Sequence, residues 1–218
     1  MKETLKKPLV IILYSSILAF LNAGPAYFFV NMGFFTTDSL WFSVTVTIGA
    51  FFIMFVIPGL VIKFSFSKTL ADFGFRRPES WSQAIKLTLI TLLIFLPILF
   101  IFAKQPNFRS YYSINGDVGV FFILVSIITS SIYYFSEEFL FRGFLFFGLW
   151  DKLKMHTFWI TNLIFAILHF SKPSGEAFFA FSAGLALSYL SYKTKSFLPA
   201  VVVHLILALI LNSLVLFT

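Results

Sequence analysis

Glu137 and Glu138 stand side by side in a run of Phe and Leu, and Arg142 follows. Glu138 and Arg142 are four residues apart, the spacing that brings two side chains together on one helical face. Glu137 points about 100° away at ideal helical geometry. An ionised residue at the centre of a membrane span costs roughly 2.5 to 3.5 kcal/mol on insertion scales, and pairing offsets part of that. The pattern divides labour. One carboxylate is neutralised by a guanidinium, and the other is left to face a cavity, where a carboxylate is a potential general base. The plainer reading is a structural Glu/Arg clamp at a membrane boundary.

Two imidazoles weigh against the plainer reading. His169 lies four residues after Phe165 in an apolar segment expected to be helical, and His204 sits in Val-Val-Val-His-Leu-Ile-Leu. A single His on an apolar helix is commonly a core residue bonded to a nearby carbonyl. Two of them with an unpaired Glu make a functional constellation, because intramembrane ionisable groups mark sites. His156, beside Asp151, Lys152 and Lys154, reads as a solvated interfacial residue.

Glu137, His169 and His204 could hold a divalent metal, or could position and deprotonate one water without one. The chain has no Cys, so thiol nucleophiles and thiolate ligands are excluded. A His-Glu-x-x-His helix is also absent. Ser130, Ser131 and Ser136 read as hydroxyls bonding back to helix carbonyls.

These residues resemble the CPBP family of membrane-embedded proteases, which includes the CAAX prenyl endopeptidases and Abi-like bacteriocin-processing or immunity-related bacterial proteins. The resemblance is carried by Glu-Glu-x-x-x-Arg at Glu137, Glu138 and Arg142, by Phe-x-x-x-His at Phe165 and His169, and by His204. It covers roughly residues 118–212. Gly184 to Tyr189, followed by Lys193 to Ser196, resembles the Gly-rich helix and turn before the family's last motif.

The resemblance implies that Glu137 activates the attacking water with help from His169. His204 would complete the polar site or stabilise the oxyanion. Glu138 and Arg142 would hold the first carboxylate, with Phe165 as a further supporting residue. It favours a glutamate mechanism without metal; if a divalent ion is bound, its donors would be Glu137, His169 and His204.

One departure stands out. The family often continues His-x-x-x-Asn, whose amide can donate to an oxyanion, and here that position is Ala208. Asn212 is no simple substitute, since eight residues on is about 12 Å along a helix and about 80° around it. Asn162 lies about two turns before His169. Glu176, beyond the Ser171–Gly175 turn, is expected to be an exposed loop acid, or else a carboxylate favoured at a helix start.

Any scaffold for these groups must be apolar. Of the 218 residues 59% are hydrophobic, 33 are Phe and only 11% are charged, which excludes a water-soluble globule. Apolar runs near 9–30, 40–62, 84–103, 118–150, 156–171, 176–192 and 197–217 predict an all-α polytopic membrane protein. About seven helices, or eight if one run splits, would surround a polar cavity. The first run reads as a retained helix kinked around Asn22, Gly24 and Pro25. The run at 118–150 would reach roughly 50 Å as one helix, so a break or a projecting end is expected.

The chain reads as one membrane domain over 1–218, with a catalytic core at 118–212 and accessory helices at 1–117. With the amino terminus inside, Lys2, Lys6, Lys7, Lys63, Lys68, Arg76, Arg77, Lys86, Lys152, Lys154, Lys193 and Lys195 fall on the cytoplasmic side. Only Lys104, Arg109 and Lys172 fall outside. The net charge of +7 therefore reads as orientation and not as nucleic-acid binding. The segment from Phe64 to Trp81 reads as a polar cytoplasmic loop.

The expectation is a multi-pass protein of a prokaryotic plasma membrane. It would hydrolyse a peptide bond in a membrane-associated peptide or protein, with the lipid bilayer as its other partner. A non-proteolytic immunity or regulatory scaffold is the first rival, with Ala208 in its favour. A small proton-coupled transporter is the second, disfavoured because the sequence shows no inverted halves.

Overall fold

The computed structural model describes residues 2–21, 24–34, 36–37, 39–112 and 119–217, and side-chain placement within 8–21, 27–34, 36–37, 39–112 and 119–215. The described residues form helices and no strands. These are α1 (Lys2–Leu21), α2 (Gly24–Asn31), α3 (Leu40–Ala50), α4 (Ile57–Phe64), α5 (Trp81–Ala103), α6 (Pro106–Tyr112), α7 (Val120–Glu138), α8 (Phe146–Leu153), α9 (His156–Ile167), α10 (Glu176–Thr194) and α11 (Leu198–Phe217). The protein is a polytopic helical membrane protein.

Four helical stretches are long and apolar enough to cross a bilayer: 40–64, 81–103, 120–153 and 198–215. The apolar stretches at 8–21 and 156–167 are shorter. Three of the expected spans therefore take a different form. The first run is divided between α1 and α2, and its expected kink at Asn22 lies outside the described residues. The run at 156–171 stops being helical at Ile167, where the chain turns. α10 has 19 residues, but Glu176, Lys193 and several Ser dilute its hydropathy.

Two of the long stretches contain a π-helical segment in place of a break. Phe51–Val56 joins α3 to α4, and Phe139–Leu145 joins α7 to α8. The first has a local cause: Pro58 lacks an N–H and its ring crowds the carbonyl four residues back, which a widened turn relieves. The two widened segments meet in the core, where the Phe55 and Phe139 rings lie 4.9 Å apart. Phe139 also meets Phe197 at 5.5 Å, while Tyr134 meets His204 at 4.4 Å, so α7 and α11 run antiparallel.

The segment from Phe64 to Trp81 is more than a loop. Thr69 and Asp72 form a capping box around a short 3₁₀ turn, Leu70–Phe73. Gly74 then takes φ +81°, a conformation that only glycine adopts at little cost. Its carbonyl accepts from Phe197 N at 3.2 Å. Arg76 Nε donates to the Lys195 carbonyl at 2.9 Å, Ser196 Oγ donates to the Arg76 carbonyl at 2.5 Å, and Glu79 N donates to the Thr194 carbonyl at 3.1 Å. The segment is a latch onto the turn between α10 and α11. Lys68 and Lys152 line one cleft at this end of the helices. At the other end of α5 and α10, Asn107 Nδ2 donates to Ser174 Oγ at 3.2 Å.

Candidate active site

Glu138 sits at the end of α7 with no exposed surface, and Arg142 lies one turn on with none either. Arg142 Nη1 donates to Glu138 Oε1 at 3.0 Å. Arg142 Nη2 donates to Asn162 Oδ1 at 3.2 Å, and Asn162 Nδ2 donates to the Phe158 carbonyl at 2.7 Å and to Ser188 Oγ at 3.1 Å. Buried charges are tolerated only when paired and hydrogen-bonded in this way. α10 can come this close because residue 184 is glycine. A Cβ there would stand 2.5 Å from Asn162 Oδ1 and 2.8 Å from Arg142 Nη2.

This buried layer ends at Phe165. Its ring lies 4.3 Å from the Arg142 guanidinium carbon and 4.7 Å from the His169 ring, with the His204 ring edge-on at 6.0 Å. Phe165 thus separates the guanidinium from a cavity of about 120 Å³, room for several waters. Glu137, His169 and His204 all line that cavity, as do Tyr133, Tyr134, Ala208 and Asn212.

His169 is not on a helix, as its spacing suggests, but in the turn that follows α9. Its Nδ1 still reaches the Phe165 carbonyl at 2.8 Å. A carbonyl can only accept, so Nδ1 carries the hydrogen and Nε2 of the neutral ring has a lone pair. Both imidazoles have polar partners. His204 Nδ1 donates to Glu138 Oε1 at 2.6 Å and stands 3.7 Å from Glu137 Oε2. The Glu138–Arg142 pair therefore orients His204. Glu137 Oε1 instead lies 3.5 Å from the Tyr133 hydroxyl.

The donors that converge are Glu137, Glu138 and His204, with ligand atoms within 4.8 Å of one another; His169 is not in that group. Among the described residues Glu138 Oε2 has no hydrogen-bond partner, but the charge of Arg142 disfavours a divalent cation at this set. Glu138 Oε1 already accepts from both Arg142 and His204 Nδ1, and a fixed guanidinium charge 3.0 Å away opposes a second cation.

Glu176 is no exposed loop acid. It is buried in the first turn of α10, where Oε1 accepts from the Tyr112 hydroxyl at 2.7 Å and pairs with Lys172 Nζ at 3.0 Å. Burial, and then the Glu176 carboxylate, push the Tyr112 hydroxyl well above its ordinary value, so it stays a donor. Tyr112, Lys172 and Glu176 line the cavity together with Leu99, Phe102 and Phe108. The stretch 1–117 therefore supplies part of the wall. His156 is exposed at the start of α9. Sequence reasoning passed over Tyr133, although its place one turn before Glu137 marks it. Asn212 does line the cavity, and Asn162 lies instead in the layer behind it.

The fold and the cavity define a helical membrane protein with carboxylate and imidazole groups gathered in its interior. Residues 115–210 match the family described as type II CAAX prenyl endopeptidase Rce1-like, which supports assigning the chain to the CPBP/CAAX protease family. That family is one of proteases. No curated protein and no solved structure gave a significant match.

Proposed function

We propose that this chain is an endopeptidase that works inside the membrane on a membrane-associated peptide or protein. One observation carries the reading: a single cavity is lined by Glu137, His169 and His204, which come from three separate segments of the chain. Glu137 takes a proton from a water whose oxygen attacks the scissile carbonyl carbon. His169 Nε2, with its free lone pair, accepts the second hydrogen of that water and aims it. His204, held by Glu138, completes the polar wall. Collapse of the tetrahedral intermediate breaks the C–N bond, and Glu137 returns the proton to the leaving amine. No step passes through a metal.

Lys68, Arg76, Lys152 and Lys195 gather at the latch end, which supports a cytoplasmic latch and amino terminus. The rival reading, a scaffold without proteolysis, rests on Ala208. Quantitative mass spectrometry of membrane-protein termini tests both, in cells expressing the wild-type chain or Glu137→Gln at matched levels. Termini that appear only with wild type are the expected result and identify the substrate. Identical termini, with both proteins inserted, would move the function to the scaffold.

A further inference from the structure

The cavity extends well past the groups that would do the chemistry. His204, Ala208 and Asn212, successive steps of four residues on α11, all line it, so it follows that helix for about 12 Å beyond the imidazole. Along α10 it reaches from Leu187 to Glu176, roughly 16 Å. α10 ends and α11 begins at the latch, so Glu176 and Asn212 both lie toward the end remote from it. Ala180, Ala183 and Ala208 keep the intervening wall low. At the remote end Tyr112 and Lys172 both turn to Glu176 Oε1, and Glu176 Oε2 is buried. Asn212 differs from them. It lies within a membrane-spanning stretch, is partly exposed and lines the cavity, and its amide pairs with no group among the described residues. A polar side chain kept without a partner inside a span marks a functional position.

We infer that Asn212 is a substrate-binding residue that holds the main chain of an extended peptide three to four residues from the bond that is cut. This rests on the endopeptidase reading above. An extended chain advances about 3.3–3.4 Å per residue, so the stretch of α11 from His204 to Asn212 spans that number of residues. A peptide drawn out in an apolar groove has lost the water from its N–H and C=O groups, and each one left unpaired there costs free energy. A primary amide answers both: Oδ1 accepts from a substrate N–H, and Nδ2 donates to a substrate carbonyl. A helical segment already pairs its own peptide groups and would leave Asn212 idle. The substrate is therefore an unwound segment, read through its main chain at Asn212 and through apolar side chains against Leu99, Phe179, Leu207 and Leu211.

The test uses the full chain in lipid nanodiscs, carrying Glu137→Gln so that the peptide stays intact, and a peptide spanning a cleavage site found by the comparison of termini. Adding Asn212→Leu is expected to weaken peptide binding about tenfold, the effect of leaving a buried peptide group unpaired, with the melting curve unmoved. A series of peptides, each with one amide replaced by an ester, then locates the contact, since an ester has no N–H to give. One ester, three or four residues from the cleaved bond, is expected to cost about tenfold with Asn212 present and nothing further with Asn212→Leu. Equal binding by the two proteins would overturn the inference. So would a loss on Asn212→Leu that is the same for every peptide in the series, which would make Asn212 a structural part of the wall. If wild type and Glu137→Gln yield the same termini, the endopeptidase reading itself falls and this inference with it, a result distinct from both.

Discussion

Glu137 and Glu138 are neighbours in sequence and opposites in surroundings. Glu138 has no exposed surface and gives one oxygen to Arg142 and His204 together, with Asn162, Ser188 and the bare Cα of Gly184 packed behind. Glu137 faces a cavity, with a distant tyrosine hydroxyl and an imidazole 3.7 Å away. The first environment holds a side chain still; the second leaves one able to exchange a proton. Phe165 covers the Arg142 guanidinium on the cavity side. The contrast teaches that in an apolar medium the reactive carboxylate is backed by a second one, paired through one oxygen with Arg142 and His204, because that pair fixes the imidazole on which the cavity depends.

The comparison can be broken most sharply at Glu137. Glu137→Gln is expected to cut the cleavage rate by about 10²–10⁴-fold while thermal unfolding in detergent stays within about 0.5 kcal/mol of wild type. Residual cleavage at the wild-type rate would remove Glu137 from the chemistry. On the other side of Phe165 the effect should reverse in kind. Arg142→Ala leaves Glu138 buried and unpaired, and is expected to cost about 3–5 kcal/mol of stability. A melting curve like that of wild type would show that the layer does not bear on the fold.

Gly184→Ala is gentler. Its added carbon must push Asn162 and Arg142 aside, for about 1–3 kcal/mol and a weakened Glu138–His204 contact. Proton NMR of a labelled His204 would report that contact, and an unchanged signal would separate Gly184 from the site.

The smallest effect belongs to the latch. The Thr69 backbone N–H, and next its hydroxyl, hold the Asp72 carboxyl below its usual range. Its contribution is complete above the ordinary carboxylate value and is lost as pH falls through the lowered one. The protection factor of the Asp72 amide, exchange taken relative to its intrinsic rate, should therefore fall only in acid and be flat from about pH 5 to 8. A change within that window would assign the latch's pH response to another group.

The letters of the site were legible because chemistry is scarce in this chain. Against a background of Phe, Leu and Ile, two adjacent Glu, an Arg at helical spacing and two His stand out. The Glu138–Arg142 pair followed from spacing alone. The bond from His204 to Glu138 did not, because 66 residues separate them and only the antiparallel pairing of α7 with α11 joins them. Glu176 misled because five turn-forming residues precede it, and only packing reveals that this turn folds inward beside Tyr112. The π-helical segments were illegible for a different reason: helices apolar on every side carry no period to lose. Thr69-x-x-Asp72 spells a capping box, yet a polar segment between long apolar runs reads first as loop.

The widened turn at Phe139–Leu145 bears on how relatives of this chain should be compared. Such a turn accommodates one additional residue, so the helix beyond it is rotated by about 100° relative to an unbroken α-helix. Loss of a single codon between positions 143 and 145 would leave every motif letter, the hydropathy and the Glu–Arg spacing intact. It would nonetheless swing α8, with Trp150 and Lys152, to another face of the bundle. Two genes could then agree at every diagnostic residue and differ in the one quantity that a motif search does not record, the phase of the helix that joins them.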